Sequence, residues 1–379
     1  MINNKMQSVL ILEGTPYDRG LLHGQTLKTE IHEIIALWRD NMSNSLKIDI
    51  DKYIKHFLEK TDFLSYIKTI TPDLFDELKG ISAGSGINFD TIYAFQLMDE
   101  MWLDIKDKKT SQCSSIGFNP ANETPTCIAQ NLDIESFRNN YQIVFHIKNL
   151  NDKLETFVLS CPGLIGFNGM NSGSIGICCN SLSPLKFSNS GLPVAFVIRG
   201  ILEQGIESKV IEFITNIKHA SGQNYLIGTG KSTFDFECST NKVVEYRKNT
   251  LQNYIFHTNH PLINDDYSVP RDEVDNIYKQ PKYINSVKRF EYLKNRLEKL
   301  PQENRLTLLK NTLMSKDSAE HPIASTIGDG GYYSSRGSFT FASTIMVLSD
   351  TPKLYINFAP VNIDNYEILE FTNSNLNDK

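Results

Sequence analysis

The chain has 379 residues, of which 40% are hydrophobic and 10% aromatic. A chain of this length buries about three quarters of its unfolded surface, so it needs no disulfide or metal to fold. The formal net charge is −6, from 38 Lys and Arg against 44 Asp and Glu, without long runs of like charge. This balance argues against a nucleic-acid partner, because phosphate binding needs a basic face.

No stretch of the sequence predicts export or a membrane span. The first twenty residues hold only the short apolar run VLIL, which does not fit a signal or transit peptide. No apolar window approaches the roughly 20 residues of a membrane-spanning helix. The six cysteines show no CxxC spacing. We therefore expect a cytoplasmic protein with reduced thiols and no membrane partner.

The first part of the chain, residues 16–106, is predicted to be mainly helical, because its apolar residues recur three or four positions apart. Thr71, directly before Pro72, is predicted to cap one of these helices. Gly20 and Gly24 have the Gly-x-x-x-Gly spacing within the first helix. This spacing predicts close packing against another helix, with no chemical role.

The chain changes character near residue 110, after which β-branched and aromatic runs separated by Asn, Gly and Pro predict strands. IGFNGMNSGSIGICCNSL predicts two strands joined at Asn171-Ser-Gly, and PVAFVIRGILEQGIESKVIEFITNI predicts an amphipathic helix. A second helical block over residues 284–314 precedes the final strands, FTFASTIMVLS and KLYINFAP. This order predicts sheets stacked between helical layers. The polar run DIKDKKTSQ, residues 104–112, is the clearest boundary between the helical part and the strand-rich part of the chain.

GTGKST, residues 228–233, has some features of a phosphate-binding loop. That loop requires a glycine at position 225, where this chain has Tyr225, and a helix should follow it. The residues that follow, FDFECS, are typical of a strand. The sequence therefore favours a hairpin turn over a nucleotide site.

His257 and His260 have a His-x-x-His spacing that can indicate a zinc site. A third ligand at a recognisable distance is missing, and the flanking residues favour a strand end over a helix. The spacing alone does not support a metal centre.

Cys113, in TSQCSSIGF, is either a buried structural thiol or a nucleophile. The other five cysteines are predicted to be core residues, since free cysteine is among the most buried residue types. Cys113 differs because it follows a polar linker at the start of the strand-rich part. If the Gln112–Cys113 bond were cut, the new α-amine, with a pKa of about 8, would lie beside the thiol as a base. Spacing alone leaves both interpretations open.

Five segments in order extend this hypothesis through a resemblance to a known family. They are Cys113-Ser-Ser, QNLD (130–133), GMNSGSIGICCN (169–180), HTNH (257–260) and NSVKRFEYL (285–293). Together they resemble the acyl-CoA:6-aminopenicillanic acid acyltransferase family, the cysteine branch of the N-terminal nucleophile hydrolases. GTPYDRGLLHGQ (14–25) is similar to the opening helix of that family.

The resemblance implies an α+β fold, a four-layer αββα sandwich, made as a precursor that cuts itself before its nucleophile. A helical chain of residues 1–112 would then pack on a catalytic chain of residues 113–379 as one structural unit. The two cleaved chains would stay associated, and a homo-oligomer is compatible with this. The implied activity is hydrolysis or transfer of an acyl group from a small-molecule acyl amide or acyl-CoA, through an acyl-enzyme and without a cofactor or metal.

The resemblance also assigns roles to individual residues. It implies Cys113 as nucleophile, Asp133 orienting the α-amine or a substrate amine, Asn259 as oxyanion donor, Asn180 as a further polar contact, and Gln130 and Arg289 at substrate-binding positions. Gln112 stands before the nucleophile, where the acyltransferase has glycine. Glycine eases the backbone strain that self-cleavage requires.

Two other functions remain open at this point. The chain could be an uncleaved, non-catalytic binding protein on the same fold, because Gln112 replaces the glycine. A nucleotide-binding protein that uses GTGKST is the weaker possibility.

Overall fold

The structure is a computed structural model that describes residues 8–105, 112–149, 154–247, 253–299, 304–328 and 337–372. Most of the predicted linker, residues 106–111, therefore lies outside the described residues. Within the described ranges, no helix is long and apolar enough to cross a membrane.

The described residues form twelve α-helices, seven of which precede Cys113. The helices are α1 (Pro16–Thr26), α2 (Lys28–Leu46), α3 (Ile50–Lys60), α4 (Phe63–Ile70), α5 (Pro72–Ser85), α6 (Phe89–Gln96), α7 (Met98–Asp104), α8 (Val194–Leu202), α9 (Glu207–Asn216), α10 (Val274–Tyr278), α11 (Pro281–Glu298) and α12 (Arg305–Leu313). The helical character predicted for residues 16–106 is confirmed.

The strands form two sheets. They are β1 (Val9–Gly14), β2 (Ser114–Phe118), β3 (Thr126–Glu135), β4 (Ile143–Asn149), β5 (Glu155–Ser160), β6 (Asn168–Asn171), β7 (Gly176–Ser181), β8 (Gln223–Gly228), β9 (Thr233–Cys238), β10 (Val243–Glu245), β11 (Tyr254–His257), β12 (Ser338–Leu348), β13 (Lys353–Phe358) and β14 (Glu367–Glu370). The eight-stranded sheet has the order β1-β4-β5-β6-β7-β8-β9-β10, and the six-stranded sheet has the order β11-β2-β3-β12-β13-β14.

One face of the six-stranded sheet is covered by α11 and α12. Ile116 on β2 and Cys127 and Ala129 on β3 join an apolar cluster with leucines of both helices. Asn131, two positions further along β3, donates its amide to the carbonyl oxygens of Leu313 and Ile323. Because side chains alternate along a strand, this pattern directs Ile128, Gln130 and Leu132 to the opposite face.

That opposite face packs against the eight-stranded sheet. A Cβ atom on Gly117 of β2 would lie 3.1 Å from a methyl group of Leu226 on β8. The Gln130 amide of β3 donates to the carbonyl oxygen of Cys179 on β7 at 2.6 Å. The inner faces of the two sheets are therefore in direct contact.

Helix α8 lies on the outer face of the eight-stranded sheet. Asn171 at the end of β6 donates to the carbonyl oxygen of Leu202, the last residue of α8. From the same helix, Arg199 forms a two-pronged ion pair with Glu77 of α5, at 2.8 and 3.0 Å. The eight-stranded sheet is thus covered by α8, and α8 in turn by α5. The predicted four-layer αββα sandwich is confirmed.

Two local predictions were incomplete or wrong, and two strands were not predicted. The segment predicted as one amphipathic helix forms two, α8 and α9, and every residue of α8 is buried because it is covered on both sides. The Thr71 hydroxyl does not cap α5; it donates back to the carbonyl oxygen of Ile67. Strand β1 was not predicted, although its apolar run VLIL pairs in parallel with β4. Strand β14, at the edge of the other sheet, was also missed.

Helices α1 and α5 cross with their backbones in contact, as the Gly-x-x-x-Gly spacing predicted. A Cβ atom on Gly20 would lie 1.9 Å from the carbonyl oxygen of Glu77. A Cβ atom on Gly80, on the facing helix, would lie 2.2 Å from the carbonyl oxygen of Tyr17. Both positions require glycine because the opposing atoms belong to backbone.

We expect Gly20→Ala to lower the free energy of unfolding by about 1–3 kcal/mol, since the added methyl group forces the two helices apart. Alanine at an unobstructed helix position would instead be favourable by up to about 1 kcal/mol. Urea unfolding followed by circular dichroism measures the difference. Gly205→Ala is the control, because no described atom lies within 4 Å of its Cβ position. Equal stability of the two variants would contradict the crossing described above.

Candidate active site

A cavity of about 540 Å³ lies beside Cys113 and is lined from both parts of the chain. The lining residues that precede Cys113 include Asn41, Gln96, Met98, Asp99, Trp102 and Leu103. Those that follow it include Leu132, Ile134, Leu164, Phe167, Cys179, Ser181, Val194, Ile198 and Gln223. The wall is mixed, since apolar side chains form much of it and four charged residues, Asp99, Glu135, Arg138 and Lys282, line it as well.

Cys113 lies directly before β2, and the alternation along this strand places its neighbours. Ser114 faces α11, where its hydroxyl accepts a hydrogen bond from Arg289. Ser115 faces the other sheet, where its hydroxyl accepts from Asn180. The Cys113 thiol lines the cavity and is only 2% exposed. The thiol is therefore enclosed but borders a space large enough for a small molecule.

The Cys113 thiol is held in its protonated form. Burial, and to a lesser degree the nearby Asp133 carboxylate, raise its pKa to about 12, although a main-chain hydrogen bond with Asp133 and the charge of Arg289 act in the opposite direction. The thiol also contacts the main-chain oxygen of Asp133, with Sγ and O 4.0 Å apart. In the uncut chain, almost none of the thiol is ionised near neutral pH.

Arg289 ties Cys113 to Asn259. This fully buried guanidinium on α11 donates to the carbonyl oxygen of Cys113 and to the Ser114 hydroxyl, both at 2.8 Å. It also donates to Oδ1 of Asn259 at 2.9 Å, and Asn285, one turn earlier on the helix, accepts from its Nε. Arg289 is absent from the described lining of the cavity. Its contacts are those of a residue that positions the site from behind.

Asn259 follows β11, and its amide has a defined orientation. Because Oδ1 accepts from Arg289, Nδ2 points the other way, toward the carbonyl oxygen of Ser181 at 3.2 Å. Ser181 lines the cavity. Ser286 accepts from the main-chain N–H of Asn259, which fixes the backbone as well. Asn259 itself is not among the described residues that line the cavity, so its role as oxyanion donor stays a prediction.

Gln130 and Asn180 lie between the sheets and bond to each other. The Gln130 amide donates to Oδ1 of Asn180 and accepts from Asn168. The Asn180 amide donates to Ser115 and to the carbonyl oxygen of Thr258. Neither residue is among the described residues that line the cavity. The structure brings both next to the strand that follows Cys113, and their predicted contacts with substrate stay predictions.

Gln112 is buried, and its side chain is poorly accommodated. It is 1% exposed, and among the described residues neither atom of its amide has a hydrogen-bond partner. A buried polar group without a partner costs about 1–3 kcal/mol. The uncut chain carries this cost directly beside the bond that precedes Cys113.

The GTGKST segment forms the turn between β8 and β9, as predicted for a hairpin. The Thr229 hydroxyl accepts from the N–H groups of Lys231 and Ser232, and it donates to the Glu207 carboxylate at 2.5 Å. These N–H groups are engaged within the turn, and the adjacent carboxylate repels phosphate. The local chemistry is therefore unsuited to a nucleotide.

The loop that carries Asn259 is anchored by Glu237, which the sequence did not reveal. The Glu237 carboxylate accepts from the main-chain N–H groups of Leu262, Ile263 and Asn264, and it contacts Nε2 of His257 at 2.9 Å. The available signal was weak, because FDFECS also contains an aspartate and a serine, and nothing local distinguishes the glutamate. His257 thus has a structural partner in the same network.

Asp99 is another residue that the sequence did not reveal, and it lines the cavity. It lies on α7, in the part of the chain predicted to be a helical leader to the catalytic part. Its signal was weak, because a single aspartate in a helix is ordinarily a surface residue.

Comparison with known proteins bears on this site. Residues 119–326, just over half of the chain, match the family described as acyl-coenzyme A:6-aminopenicillanic acid acyl-transferase. The chain belongs to this family. The matched region contains Asp133, Asn180, Asn259 and Arg289 and begins six residues after Cys113.

Two curated relatives come from Dictyostelium discoideum. Protein dcd1A is 26% identical over 280 residues, which cover 63% of this chain and 58% of the relative. Protein dcd1B is 25% identical over 220 residues, which cover 52% of this chain and 42% of the relative. The chain thus spans about half the length of these relatives.

Two solved structures resemble this one more distantly. A conjugated bile acid hydrolase from Clostridium perfringens is 14% identical, with 68% of this chain and 96% of that chain covered and a TM-score of 0.38. Penicillin V acylase from Agrobacterium tumefaciens is 12% identical, with 68% of this chain and 86% of that chain covered and a TM-score of 0.41.

We expect Arg289→Met to lower the free energy of unfolding by about 3 kcal/mol or more, because it leaves several buried acceptors without a donor. Arg296→Met is the matched control on the same helix, since Arg296 pairs with Asp317 at the surface. Loss of a surface pair costs at most about 1 kcal/mol. Urea unfolding of both variants provides the measurement, and similar losses for the two would argue against the anchoring role of Arg289.

Proposed function

We propose that the chain is an autoprocessed cysteine amidohydrolase or acyltransferase. Cys113 cleaves or transfers an acyl group at a non-peptide amide, or at an acyl thioester, through an acyl-enzyme. The observation that carries the proposal is the position of the Cys113 thiol. It borders a cavity of about 540 Å³, and Arg289 connects the same residue to Asn259. Family membership supports this chemistry.

The first step is self-cleavage between Gln112 and Cys113. The Cys113 sulfur attacks the carbonyl carbon of Gln112, the amide C–N bond breaks, and the thiol proton passes to the nitrogen. Water then hydrolyses the resulting thioester, which releases the Gln112 carboxylate and restores the thiol beside a free α-amine. Arg289, which holds the carbonyl oxygen of Cys113, keeps the residue in place during this exchange.

The buried Gln112 amide favours this cleavage although the position lacks glycine. Neither polar atom of the side chain has a partner among the residues that the structure describes. Once the bond is broken, the new carboxyl end can withdraw and hydrate its amide. Hydration of each polar atom of the Gln112 amide removes a cost of about 1–3 kcal/mol, and this gain favours cleavage.

The uncut chain behaves as a zymogen in this proposal. A Cys113 thiol with a pKa of about 12 is almost entirely protonated at neutral pH, and thiolate is the reactive form. Cleavage supplies an α-amine with a pKa near 8, which can accept the thiol proton. The Asp133 carboxylate, whose charge already acts on the thiol, would hold that amine in position.

Turnover then follows in two stages. The thiolate attacks the substrate carbonyl, and the amide nitrogen of Asn259 donates to the oxygen on which negative charge develops. The amine part leaves with a proton from the α-ammonium. Water or a second amine takes the acyl group from Cys113 and regenerates the thiol. Water gives hydrolysis, and an amine gives acyl transfer.

The helical chain of residues 1–112 remains part of the enzyme after cleavage. Gln96, Met98, Asp99 and Trp102 line the cavity together with Cys113. Strand β1 also completes the edge of the eight-stranded sheet. The two cleaved chains therefore stay associated.

We expect purified wild-type protein to yield two species, residues 1–112 and residues 113–379, by intact mass under denaturing conditions. Cys113→Ala removes the attacking sulfur and should remain a single chain of 43.0 kDa. Cys178→Ala is the control, because Cys178 is fully buried but absent from the described cavity lining. It should be cut like the wild type.

The same experiment separates the proposal from its alternative. Incubation with a panel of acyl amides and acyl-CoAs should add an acyl mass to the 113–379 species. A wild-type chain that stays intact and gains no acyl mass would instead indicate a non-catalytic binding protein. An active Cys113→Ala variant would refute Cys113 as the nucleophile.

We expect Asn259→Ala to lower kcat about 10²–10³-fold with a smaller change in KM, because an oxyanion donor acts mainly in the transition state. Asn241→Ala, whose amide contacts Asp266 at the surface, should leave kcat unchanged. Steady-state kinetics on an amide from the panel provides the comparison. Equal kcat values for the two variants would remove Asn259 from the mechanism.

A further inference from the structure

Asp99 presents a carboxylate to the cavity that contains the Cys113 thiol. Its side chain is accessible, whereas its neighbours Met98 and Glu100 are 6% and 3% exposed. The surrounding protein and the nearby Glu135 nevertheless raise the pKa of Asp99 to about 6. Accessibility together with this enclosed environment indicates that the carboxylate faces the cavity and not bulk solvent. It is mostly ionised at neutral pH.

One oxygen of Asp99 is held in place, and the other is available. Gln223 donates to Oδ2 of Asp99 at 3.3 Å, and its own carbonyl group accepts from the Cys179 thiol at 3.4 Å. No described residue donates a hydrogen bond to Oδ1. The charge of Asp99 also raises the pKa of Cys113 and Cys179, which places the carboxylate within electrostatic range of the reacting sulfur.

The cations near Asp99 do not neutralise it by an ion pair. Arg138 pairs with Glu135, which also accepts from the indole of Trp102. The Lys282 ammonium, in another part of the cavity wall, lies 4.7 Å from the centre of the Tyr283 ring. In the described part of the chain, no salt bridge joins either cation to Asp99. The carboxylate is therefore suited to pair with a ligand cation.

We infer that the substrate of this site is an N-acyl amine that carries a second, protonated nitrogen. Its apolar acyl group packs against the wall formed by Leu132, Ile134 and Ile198, and its ammonium group pairs with Asp99. This inference rests on the proposed function, because it assumes that the cavity beside Cys113 is the substrate site. It makes Asp99 a specificity-determining residue contributed by the 1–112 segment.

Three amides with the same octanoyl chain test the inference. They are N-octanoyl-1,4-diaminobutane, which is cationic, N-octanoylbutylamine, which is neutral, and N-octanoyl-4-aminobutyrate, which is anionic. Titration calorimetry on the Cys113→Ala full chain measures binding without turnover. We expect the cationic amide to bind about tenfold more tightly than the neutral one, a ratio that corresponds to roughly 1.4 kcal/mol.

Asp99→Asn in the same background should reduce that preference to less than about twofold and leave affinity for the neutral amide unchanged. Asparagine has the same shape and can still accept from Gln223. Asp90→Asn, at an exposed position on α6, is the control and should keep the full preference. Asp99→Ala is a second variant in case Asp99→Asn unfolds, and thermal unfolding of each variant verifies the fold.

Equal binding of the three amides, or a preference for the anionic one, would overturn the inference. Retention of the cation preference in both Asp99 variants would overturn it too. The proposed function is tested separately, by turnover of the same amides by wild-type protein. A cation preference that depends on Asp99 but occurs without turnover would support the inference and refute the enzymatic proposal.

Discussion

The arrangement of the site depends on one buried cation. The Arg289 guanidinium holds the carbonyl oxygen of Cys113, the Ser114 hydroxyl and Oδ1 of Asn259 at once. These acceptors come from two parts of the chain that are far apart in sequence, and Arg289 itself lies on a third, α11. A planar guanidinium with five N–H donors can satisfy several acceptors in fixed directions, which a lysine cannot do. A buried cation without partners would be very costly, so the fold and this geometry require each other.

A second network of neutral polar groups joins the two sheets beside that cation. Gln130 bonds to both Asn168 and Asn180, and Asn180 also reaches Ser115 on β2, the strand that follows Cys113. Such groups stabilise a fold only when they are satisfied, because an unmatched buried amide loses its hydration without compensation. The network therefore sets the register between the sheets. Gln112, whose amide has no partner in the described part of the chain, is the contrasting case, and it lies where we propose that the chain is cut.

The cavity is shared between the two parts of the chain. Cys113 and the sheet residues form one side, and residues of α6 and α7 form another. The close approach of Gly20 and Gly80 to the facing backbones holds α1 against α5, and the ion pair of Arg199 with Glu77 connects α5 to α8, which covers the eight-stranded sheet. Substrate selection by Asp99 would then come from the helical part and chemistry from the strands. This division explains why a cleaved amino-terminal chain would have to remain bound.

Local sequence patterns were sufficient for the layered fold and for the family. Apolar periodicity predicted the helices before Cys113 and the strands after it, because a side chain's burial follows the period of its own element. Spaced glycines predicted the close helix crossing, and a missing glycine at Tyr225 predicted the hairpin turn. The break between α8 and α9 and the edge strands β1 and β14 were not predicted. Burial on both sides removes the polar face from α8, and pairing of an edge strand depends on a distant partner.

For the site, the sequence by itself determined which residues were candidates: Cys113, Asp133, Asn180 and Asn259, with Gln130 and Arg289 beside them. Only the tertiary structure decided how they are arranged. It placed Arg289 behind Cys113, put Gln130 and Asn180 between the sheets, and added Asp99 and Glu237 from elements without a recognisable motif. The physical reason is that a hydrogen bond or a shared cavity depends on distance in space. Chain separations such as the 176 residues between Cys113 and Arg289 leave no local pattern.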